Sequence, residues 1–270
     1  MPMNPRILRP LARPLLLDAV PGAAAAYSLR QLSNAYTGPV VTVRRSSDDA
    51  EEDFKASEID DGTLAAFCGA GDGLVKTWFD QSGNTGRDAS QGTAGYQPKV
   101  VDSGSLVTEG GKAALEFDGT DDWFAVSLSS LSPWSVFAVQ ARDAVGDYGI
   151  SLARSDASPG PYAFTQFLSG SNFARSREGF ISVTDSTAQQ LLLVTISGAG
   201  GISELAAYKD GAIMPSTSTA SATAIDFSSV ARLGSNYHKG TLQELLLYNS
   251  DQSANRQRIE GDINRHFGIF

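Results

Sequence analysis

The sequence predicts an all-β protein, an antiparallel sandwich with an extended proline-rich N-terminal arm and a C-terminal helix. Short runs of β-branched and aromatic residues recur along the chain, separated by clusters of Gly, Ser, Asp and Asn. Glycine accounts for 27 of 270 residues, and charged residues for only 19%, a balance typical of strands joined by tight turns. All-β domains often reach this length as single units, so we expect one domain over residues 23–270 and an arm over residues 1–22.

The arm contains five of the chain's 11 prolines. Their fixed φ and missing amide donors exclude a continuous helix or a central strand, which leaves an extended segment. Such a segment is mobile unless something holds it, and we expect it to dock on another subunit; the alternative is that it folds back on its own domain. Its removal is then expected to leave the melting temperature nearly unchanged. The docking residues predicted are Pro5, Arg6, Arg9, Pro10, Arg13, Leu15, Leu16 and Leu17.

The first elements of the domain are predicted to alternate between short helices and strands. A helix is expected over residues 23–36 because apolar residues recur three and four apart, and Gly38-Pro39 ends it. The next elements predicted are a strand over 40–44, a polar acidic loop over 46–53, a helix over 63–68 and a strand over 74–79.

The rest of the chain shows a more regular strand pattern. Asp210-Gly211 favours a primed hairpin turn. Further strands are expected over 113–117, 134–141, 148–153, 162–167, 179–183, 190–196, 204–208, 230–233 and 241–248.

A helix is predicted at the C-terminal end of the chain. Ile259, Ile263 and Phe267 form an apolar stripe, and Gly268 ends the helix. Ser250 or Asp251 is expected to cap it, and His266 to act as a favourable cation in its last turn. We expect this helix to cover one open end of the sandwich.

Composition excludes several classes of function. The formal net charge is −9 and the pI about 4.7, which argues against binding to nucleic acid or to an anionic membrane surface. No apolar run approaches the ~20 residues that span a bilayer. The single cysteine, Cys68, cannot form an internal disulfide or a zinc–cysteine cluster, so synthesis in a reducing cytoplasm is expected. The sequence contains no nucleotide-binding, acyl-transfer or zinc-hydrolase signature.

One acidic turn is a candidate metal site. Asp118, Asp121 and Asp122 place hard oxygen ligands in a loop between strands, which suits Ca²⁺ if backbone carbonyls complete the shell. The alternative is an acidic turn in which Gly119 supplies a positive φ. No other cofactor is expected.

Three segments resemble the opening of the α-L-arabinofuranosidase B catalytic domain. They are Ala26-Tyr27-Ser28-Leu29-Arg30 through Gly38-Pro39, Val43-Arg44-Arg45-Ser46-Ser47-Asp48, and Trp78-Phe79-Asp80-Gln81-Ser82-Gly83-Asn84. The resemblance covers roughly residues 26–100. We expect these residues to join the N-terminal segment to the sandwich, with Arg44 or Arg45 paired to Asp48, Asp80 or Asp88.

The remainder of the chain resembles concanavalin A-like, laminin G-type domains. The resemblance lies in the Leu115-to-Asp122 segment, in the closing Gln243-to-Tyr248 strand and in the terminal helix, whose form is similar to proteins of tailed phages. Both resemblances imply one jelly roll of two facing antiparallel sheets.

The catalytic residues of the arabinofuranosidase family find no matching positions. Its nucleophile lies in an Asp-Leu-Glu-Asn-Gly segment, which has no counterpart between Phe137 and Phe180. Its acid lies in a Gly-Gly-Asp-Asn-Ser loop, where this chain has Ser235 or Asn236, and neither side chain delivers a proton at pH 7.

We therefore expect a non-catalytic virion protein made in the host cytoplasm. Its expected role is that of a capsid decoration, head-fibre or tail-associated subunit, oligomeric and joined to other virion proteins by the arm. One alternative is an arabinofuranosidase-like glycoside hydrolase with relocated acids, and another is a free-standing lectin. The suspects for the hydrolase are Glu116, Asp121, Asp122 and Glu244.

Contact with host-surface polysaccharide is a further expectation. Sugar recognition combines an aromatic face with planar polar groups, so aromatic residues in or beside loops are the candidates. The alternative for each is that it caps the sandwich core. The candidates are Trp123, Asn236, Tyr237, His238, Tyr148 and Tyr162.

Overall fold

The computed structural model of the protein describes residues 13–131, 133–144, 151–153, 162–167, 172–176, 179–183, 187–196, 205–214, 225–230, 232–233 and 236–270. Its helices are α1 (Leu16–Ala19), α2 (Ala56–Asp60), α3 (Thr63–Cys68) and α4 (Arg256–Phe267), with a 3-10 turn at Ala94–Tyr96. Its strands are β1 (Ala23–Ser28), β2 (Val41–Arg45), β3 (Glu51–Phe54), β4 (Gly73–Trp78), β5 (Ala89–Ser90), β6 (Lys99–Asp102), β7 (Ser105–Leu106), β8 (Thr108–Glu109), β9 (Lys112–Ala113), β10 (Leu115–Asp118), β11 (Phe124–Leu131), β12 (Trp134–Arg142), β13 (Ser151–Ala153), β14 (Tyr162–Phe167), β15 (Asn172–Ser176), β16 (Gly179–Val183), β17 (Gln190–Ile196), β18 (Leu205–Lys209), β19 (Ala212–Ile213), β20 (Ile225–Val230), β21 (Arg232–Leu233), β22 (Asn236–Tyr237) and β23 (Lys239–Tyr248).

The fold is the predicted all-β antiparallel sandwich with a C-terminal helix. Strand β23 pairs with β12 along one edge, and with β1 and β10 along the other. The sheet continues from β12 through β17, β18 and β19. On the other side, β10 pairs with β6 and β6 with β4, from which β2 and β5 lead to β3, β11 and β20.

Two hydrophobic cores lie on opposite faces of the β12–β23 sheet. Val136 and Ala138 of β12 belong to the core inside the sandwich, whereas Phe137 and Val139 belong to a second core with α1 and α4. All nine residues of β12 are buried, because alternate side chains of a strand point to opposite faces. Helix α4 thus covers the outer face of a sheet, and the predicted place at an open end is wrong.

The first strand occupies a segment that was predicted to be helical. Residues 23–28 form β1, which pairs with β23 from Ala23↔Tyr248 to Ser28↔Glu244. Its alanines are small enough to fit between the layers on both faces, and Tyr27 is fully buried in the inner core. Pairing with β23 outweighs the local helical pattern, which is a weak determinant beside tertiary contacts.

The end of the N-terminal arm is part of the protein's own core. Leu16 and Leu17 are 1% and 7% exposed, and they pack with Val20 against α4. The arm is therefore not extended up to residue 22, and the two buried leucines present no surface for docking on another subunit. Leu15 is half-buried and Arg13 exposed. The other predicted docking residues, Pro5, Arg6, Arg9 and Pro10, lie outside the described residues.

Three shorter predictions have mixed outcomes. The Asp210-Gly211 turn is confirmed, since both residues have the positive φ of a type I′ hairpin, 49° and 76°. Residues 51–53 of the predicted loop belong to strand β3, because β3 pairs with β2. Asn255 occupies the N-cap of α4 without a side-chain bond, so neither Ser250 nor Asp251 caps the helix.

Among the described residues, no helix is long and apolar enough to cross a membrane.

His266 is neutral at pH 7, contrary to the cation predicted in the last turn of α4. Burial and the positive charges of Arg30 and Lys112 together lower the pKa of His266 to about 4. The imidazole packs edge-on against Phe267, with ring centroids 4.6 Å apart.

Replacement of His266 by Gln is expected to reduce the loss in the free energy of unfolding that the wild type shows between pH 6.5 and pH 4. The folded-state pKa of about 4 lies below the usual histidine pKa of about 6.5, so the unfolded chain binds more protons between these values. The contribution of His266 is therefore present above pH 6.5 and is lost as pH falls towards 4. Urea unfolding of both proteins at pH 7 and pH 4.5 measures the difference, and an equal loss in both would contradict the assignment.

Candidate active site

The candidate site lies at the end of β10, where four carboxyl side chains come together. Leu115 and Phe117 point into the inner core, so the alternation of the strand places Glu116 and Asp118 on its other face. Gly119 then turns the chain with a φ of 76°. A side chain at Gly119 would clash with Lys239, because an added Cβ would lie 2.6 Å from the lysine Cβ.

Backbone hydrogen bonds fix the turn that follows. The Asp118 carboxylate accepts the N–H groups of Thr120, at 2.7 Å, and Asp121, at 3.2 Å. The Asp122 carboxylate accepts the Asp118 N–H at 3.0 Å. As a result, carboxylate oxygens of Asp118, Asp121 and Asp122 all lie within 4.8 Å of one another.

Asp122 is suited to hold a proton near neutral pH. Burial and the negative charges of Asp118, Asp121 and Glu116 together raise the pKa of Asp122 to about 7, against the bond from the Asp118 N–H. The residue is 6% exposed, whereas Asp121 is half-buried and Asp118 exposed. A protonated carboxyl beside other carboxyl groups is the arrangement that divides acid and nucleophile roles in glycosidases.

Glu116 extends this acidic surface across the sheet. It faces Lys99 of β6, which forms ion pairs with Asp72 at 3.1 Å and Asp102 at 2.8 Å. Burial raises the pKa of Glu116, and the charge of Asp102 adds to this effect while Lys99 opposes it.

The predicted Ca²⁺ site coincides with the same turn. The three aspartate side chains are close enough to share one cation. Two of them already accept backbone N–H groups, which accounts for the turn without a metal. Calcium binding by Asp118, Asp121 and Asp122 stays a prediction.

Glu244 has a structural position and is removed from the catalytic suspects. Arg30 binds both of its oxygens, with Nε–Oε2 and Nη2–Oε1 distances of 2.7 and 3.0 Å, and Ser28 donates a further bond at 2.9 Å. Arg30 also pairs with Asp262 of α4 at 2.9 Å. The Glu244 side chain is 1% exposed, so no substrate can reach it.

The structure separates the candidates for sugar contact. Trp123 is half-buried next to Asp122, and its carbonyl accepts a bond from Gln91 at 3.0 Å. His238 is fully buried against Phe117, which rules out a place on a sugar-binding loop. Asn236 and a half-buried Tyr237 lie in β22, which pairs with β21. Tyr162 lies in β14, and Tyr148 lies outside the described residues.

The Asp80-Gln81 turn joins the N-terminal segment to the sandwich, as predicted. Asp80 accepts the Ala26 N–H at 2.7 Å, and the Gln81 side chain accepts the Leu32 N–H and donates to the carbonyls of Ser28 and Arg30. Burial raises the pKa of Asp80. Arg45 pairs with Asp48 at 2.7 Å, and Arg44 pairs with Asp49 rather than with Asp80 or Asp88.

Some residues of the site were not found from the sequence. Lys99 and Lys239 approach the acidic turn through strand pairing with β10. Lys99 and Lys239 lie 17 and 123 residues from Glu116 in the sequence, so their proximity to it could not be recognised from the sequence. Strand-pairing register is the one signal that could reveal them, and the sequence pattern does not determine it across such distances.

A family model described as "Alpha-L-arabinofuranosidase B, catalytic" matches residues 17–131. Among solved structures, a GH54 α-L-arabinofuranosidase soaked with a cyclic sulfate inhibitor has a TM-score of 0.66 at 16% identity. An arabinofuranosidase complexed with arabinofuranosyl-α-1,2-xylobiose has a TM-score of 0.64 at 17% identity. Both alignments cover 89% of this chain and 62% of the other, so the chain spans about three fifths of their length. No curated protein matches the sequence.

These findings overturn the interpretation as a non-catalytic virion protein. The matching family model is a catalytic domain, and the similar structures are glycoside hydrolases, which contradicts the expectation that the chain is not an enzyme. The resemblance to the arabinofuranosidase B catalytic domain is confirmed for the N-terminal part, whereas nothing supports the resemblance to phage proteins. The predicted location, oligomer and arm-bound partners stay predictions. The chain has a fold like that of the GH54 arabinofuranosidase structures, and its residues 17–131 match the model of the arabinofuranosidase B catalytic domain.

Proposed function

We infer that the protein is a glycoside hydrolase that releases α-L-arabinofuranosyl units. The observation that carries this proposal is the match of residues 17–131 to the arabinofuranosidase B catalytic family. The likeness in fold to arabinofuranosidase structures extends over 89% of the chain and supports it.

The acidic turn supplies groups for such a reaction. Retaining glycosidases use two carboxyl groups about 5 Å apart, one protonated and one ionised. Asp122 has a pKa of about 7, and the Asp121 carboxylate lies within 4.8 Å. We assign Asp122 as the acid and Asp121 as the nucleophile.

In the first step, Asp121 attacks the anomeric carbon while Asp122 gives its proton to the departing glycosidic oxygen. The bond to the leaving group breaks as the bond to Asp121 forms. In the second step, the Asp122 carboxylate takes a proton from water, which attacks the anomeric carbon and releases arabinose and the Asp121 carboxylate.

Hydrolysis of 4-nitrophenyl α-L-arabinofuranoside tests both the function and the assignment. Asp122→Asn is expected to lower kcat by about 10²–10⁴-fold, because it removes the general acid. Asp121→Asn is expected to abolish the covalent route. Activity of the wild type should fall as pH rises through about 7, since Asp122 must be protonated to act.

Glu52→Gln is the matched control, since it neutralises an exposed carboxylate on β3, outside the acidic turn. It should leave kcat unchanged. Absence of turnover by the wild type would contradict the proposed function. Turnover that persists in Asp122→Asn would instead reject the acidic turn as the catalytic centre.

A further inference from the structure

A groove separate from the acidic turn lies between the β1–β2 connection and the start of α2. Its volume is about 230 Å³. This is smaller than the ~300–1,000 Å³ of typical small-molecule pockets, and it suits a single ring of a longer ligand. The residues that line it include Gln31, Tyr36, Thr37, Val40, Lys55 and Ser57.

The ring of Tyr36 forms a fixed wall of this groove. Its hydroxyl donates a hydrogen bond to the Pro39 carbonyl. Gly38 lies directly against the ring, since a Cβ added there would be 3.1 Å from the Tyr36 Cζ. The ring is half-buried and cannot swing away without losing both contacts.

Polar groups around the wall have unused hydrogen-bonding capacity. The Gln31 amide donates to the carbonyls of Ser33 and Tyr36, at 2.8 and 2.9 Å, which leaves its oxygen as an acceptor. Thr37 and Ser57 add two hydroxyls to the same rim, and Lys55 adds an ammonium group. The groove therefore combines an aromatic face with a donor and acceptor rim.

We propose that this groove binds a neutral sugar unit of a polysaccharide chain. A sugar ring has an apolar face that packs on an aromatic ring, and hydroxyls that both donate and accept. The negative charges of Asp53, Asp80 and Asp88 near Tyr36 outnumber the positive charge of Lys55 in the lining, which disfavours an acidic sugar. The inference rests on the proposed function for its class of ligand, and it adds a binding subsite that shares no residue with the acidic turn.

Affinity electrophoresis in gels containing soluble arabinoxylan tests the proposal. Tyr36→Ala removes the wall, and Ser57→Trp fills the groove while leaving Tyr36 intact. Both variants are expected to raise the dissociation constant at least tenfold. Hydrolysis of 4-nitrophenyl α-L-arabinofuranoside should stay within twofold of the wild type, because this substrate does not extend to a remote subsite.

Tyr96→Ala is the matched control, since Tyr96 is an exposed tyrosine that lies outside the groove. It should bind arabinoxylan as the wild type does. Melting temperatures show whether Tyr36→Ala has lost its fold, in which case Ser57→Trp alone decides.

The two proposals fail in different ways. A wild type that binds arabinoxylan through the groove but releases no arabinose contradicts the hydrolase and supports the groove. A wild type that is not retarded, or groove variants that are retarded as strongly as the wild type, would overturn the groove, whatever the hydrolase assay shows.

Discussion

Deletion of Met1 to Gly22 is expected to unfold the protein or to lower its melting temperature by more than 10 °C. The deletion removes Leu16, Leu17 and Val20 from the outer core. Burial of each such side chain is worth ~1.5–3 kcal/mol, so the loss is roughly 5–9 kcal/mol, against a total stability of about 5–15 kcal/mol for a typical protein.

Hydrogen bonds add to this apolar contribution. The Leu17 N–H donates to the Leu32 carbonyl at 2.9 Å, and the Tyr248 hydroxyl donates to the Val20 carbonyl at 3.0 Å. Asp18 accepts a bond from Ser33 at 2.7 Å, which lowers the pKa of the aspartate. The deletion would leave the buried Tyr248 hydroxyl without this acceptor.

Point variants distinguish the contribution of the buried leucines to the free energy of unfolding from the contribution of the first twelve residues. Leu16→Ala is expected to cost about 2–5 kcal/mol in urea unfolding, as for other large-to-small core changes. Ile213→Ala is the matched control, because Ile213 is 68% exposed and should change stability by less than about 0.5 kcal/mol. If the deletion variant has the same melting temperature as the full-length protein, the outer core does not need the N-terminal segment.

Elements with a strong local signal could be predicted from the sequence. The Asp210-Gly211 hairpin required two positive φ angles, which this pair adopts most readily. Helix α3 spans the predicted residues 63–68, and β14, β16 and β17 match their predicted ranges. Gly268 ends α4 in the left-handed conformation, as predicted.

Elements that depend on distant partners could not be predicted in this way. The alanines of β1 favour a helix locally, and β23, more than 200 residues away, turns them into a strand. The leucines of α1 look like part of a polar, proline-rich arm until α4 covers them. In both cases, burial against a remote element decides the secondary structure. A short window of sequence does not include that remote element.

In the candidate site, too, the features set by neighbouring residues could be predicted from the sequence, and those set by distant residues could not. Asp118, Asp121 and Asp122 are adjacent in sequence, so their grouping was predictable. The raised pKa of Asp122 arises chiefly from burial, which the sequence does not reveal, and then from the charges of Asp118, Asp121 and Glu116. Glu244 was a catalytic suspect because its counter-ion, Arg30, lies 214 residues away in the sequence and could not be identified.

Arg30 lies between Glu244 and Asp262 and forms a charge network with both of them. The side chains of Arg30, Glu244 and Asp262 are 14%, 1% and 13% exposed, and the guanidinium also lies 5.8 Å from the centroid of the Phe267 ring. Burial lowers the pKa of Arg30, but Glu244 and Asp262 raise it by more, so the charge is retained. The network connects β1, β23 and α4 at one point.

Arg30→Ala is expected to lower the free energy of unfolding by about 3–5 kcal/mol, because it leaves the Glu244 carboxylate buried without a counter-charge. Lys76→Ala is the matched control: its pair with Glu51 is about 40% exposed on both sides and should contribute less than about 1 kcal/mol. The double variant Arg30→Met, Glu244→Leu replaces both members of the ion pair by apolar side chains. Because it leaves no unpaired Glu244 carboxylate in the core, this variant should be more stable than Arg30→Ala. Urea unfolding of the four proteins measures these differences. If Arg30→Ala unfolds within 1 kcal/mol of the wild type, Glu244 is not held as a buried ion, and its exclusion from the catalytic carboxylates loses its main support.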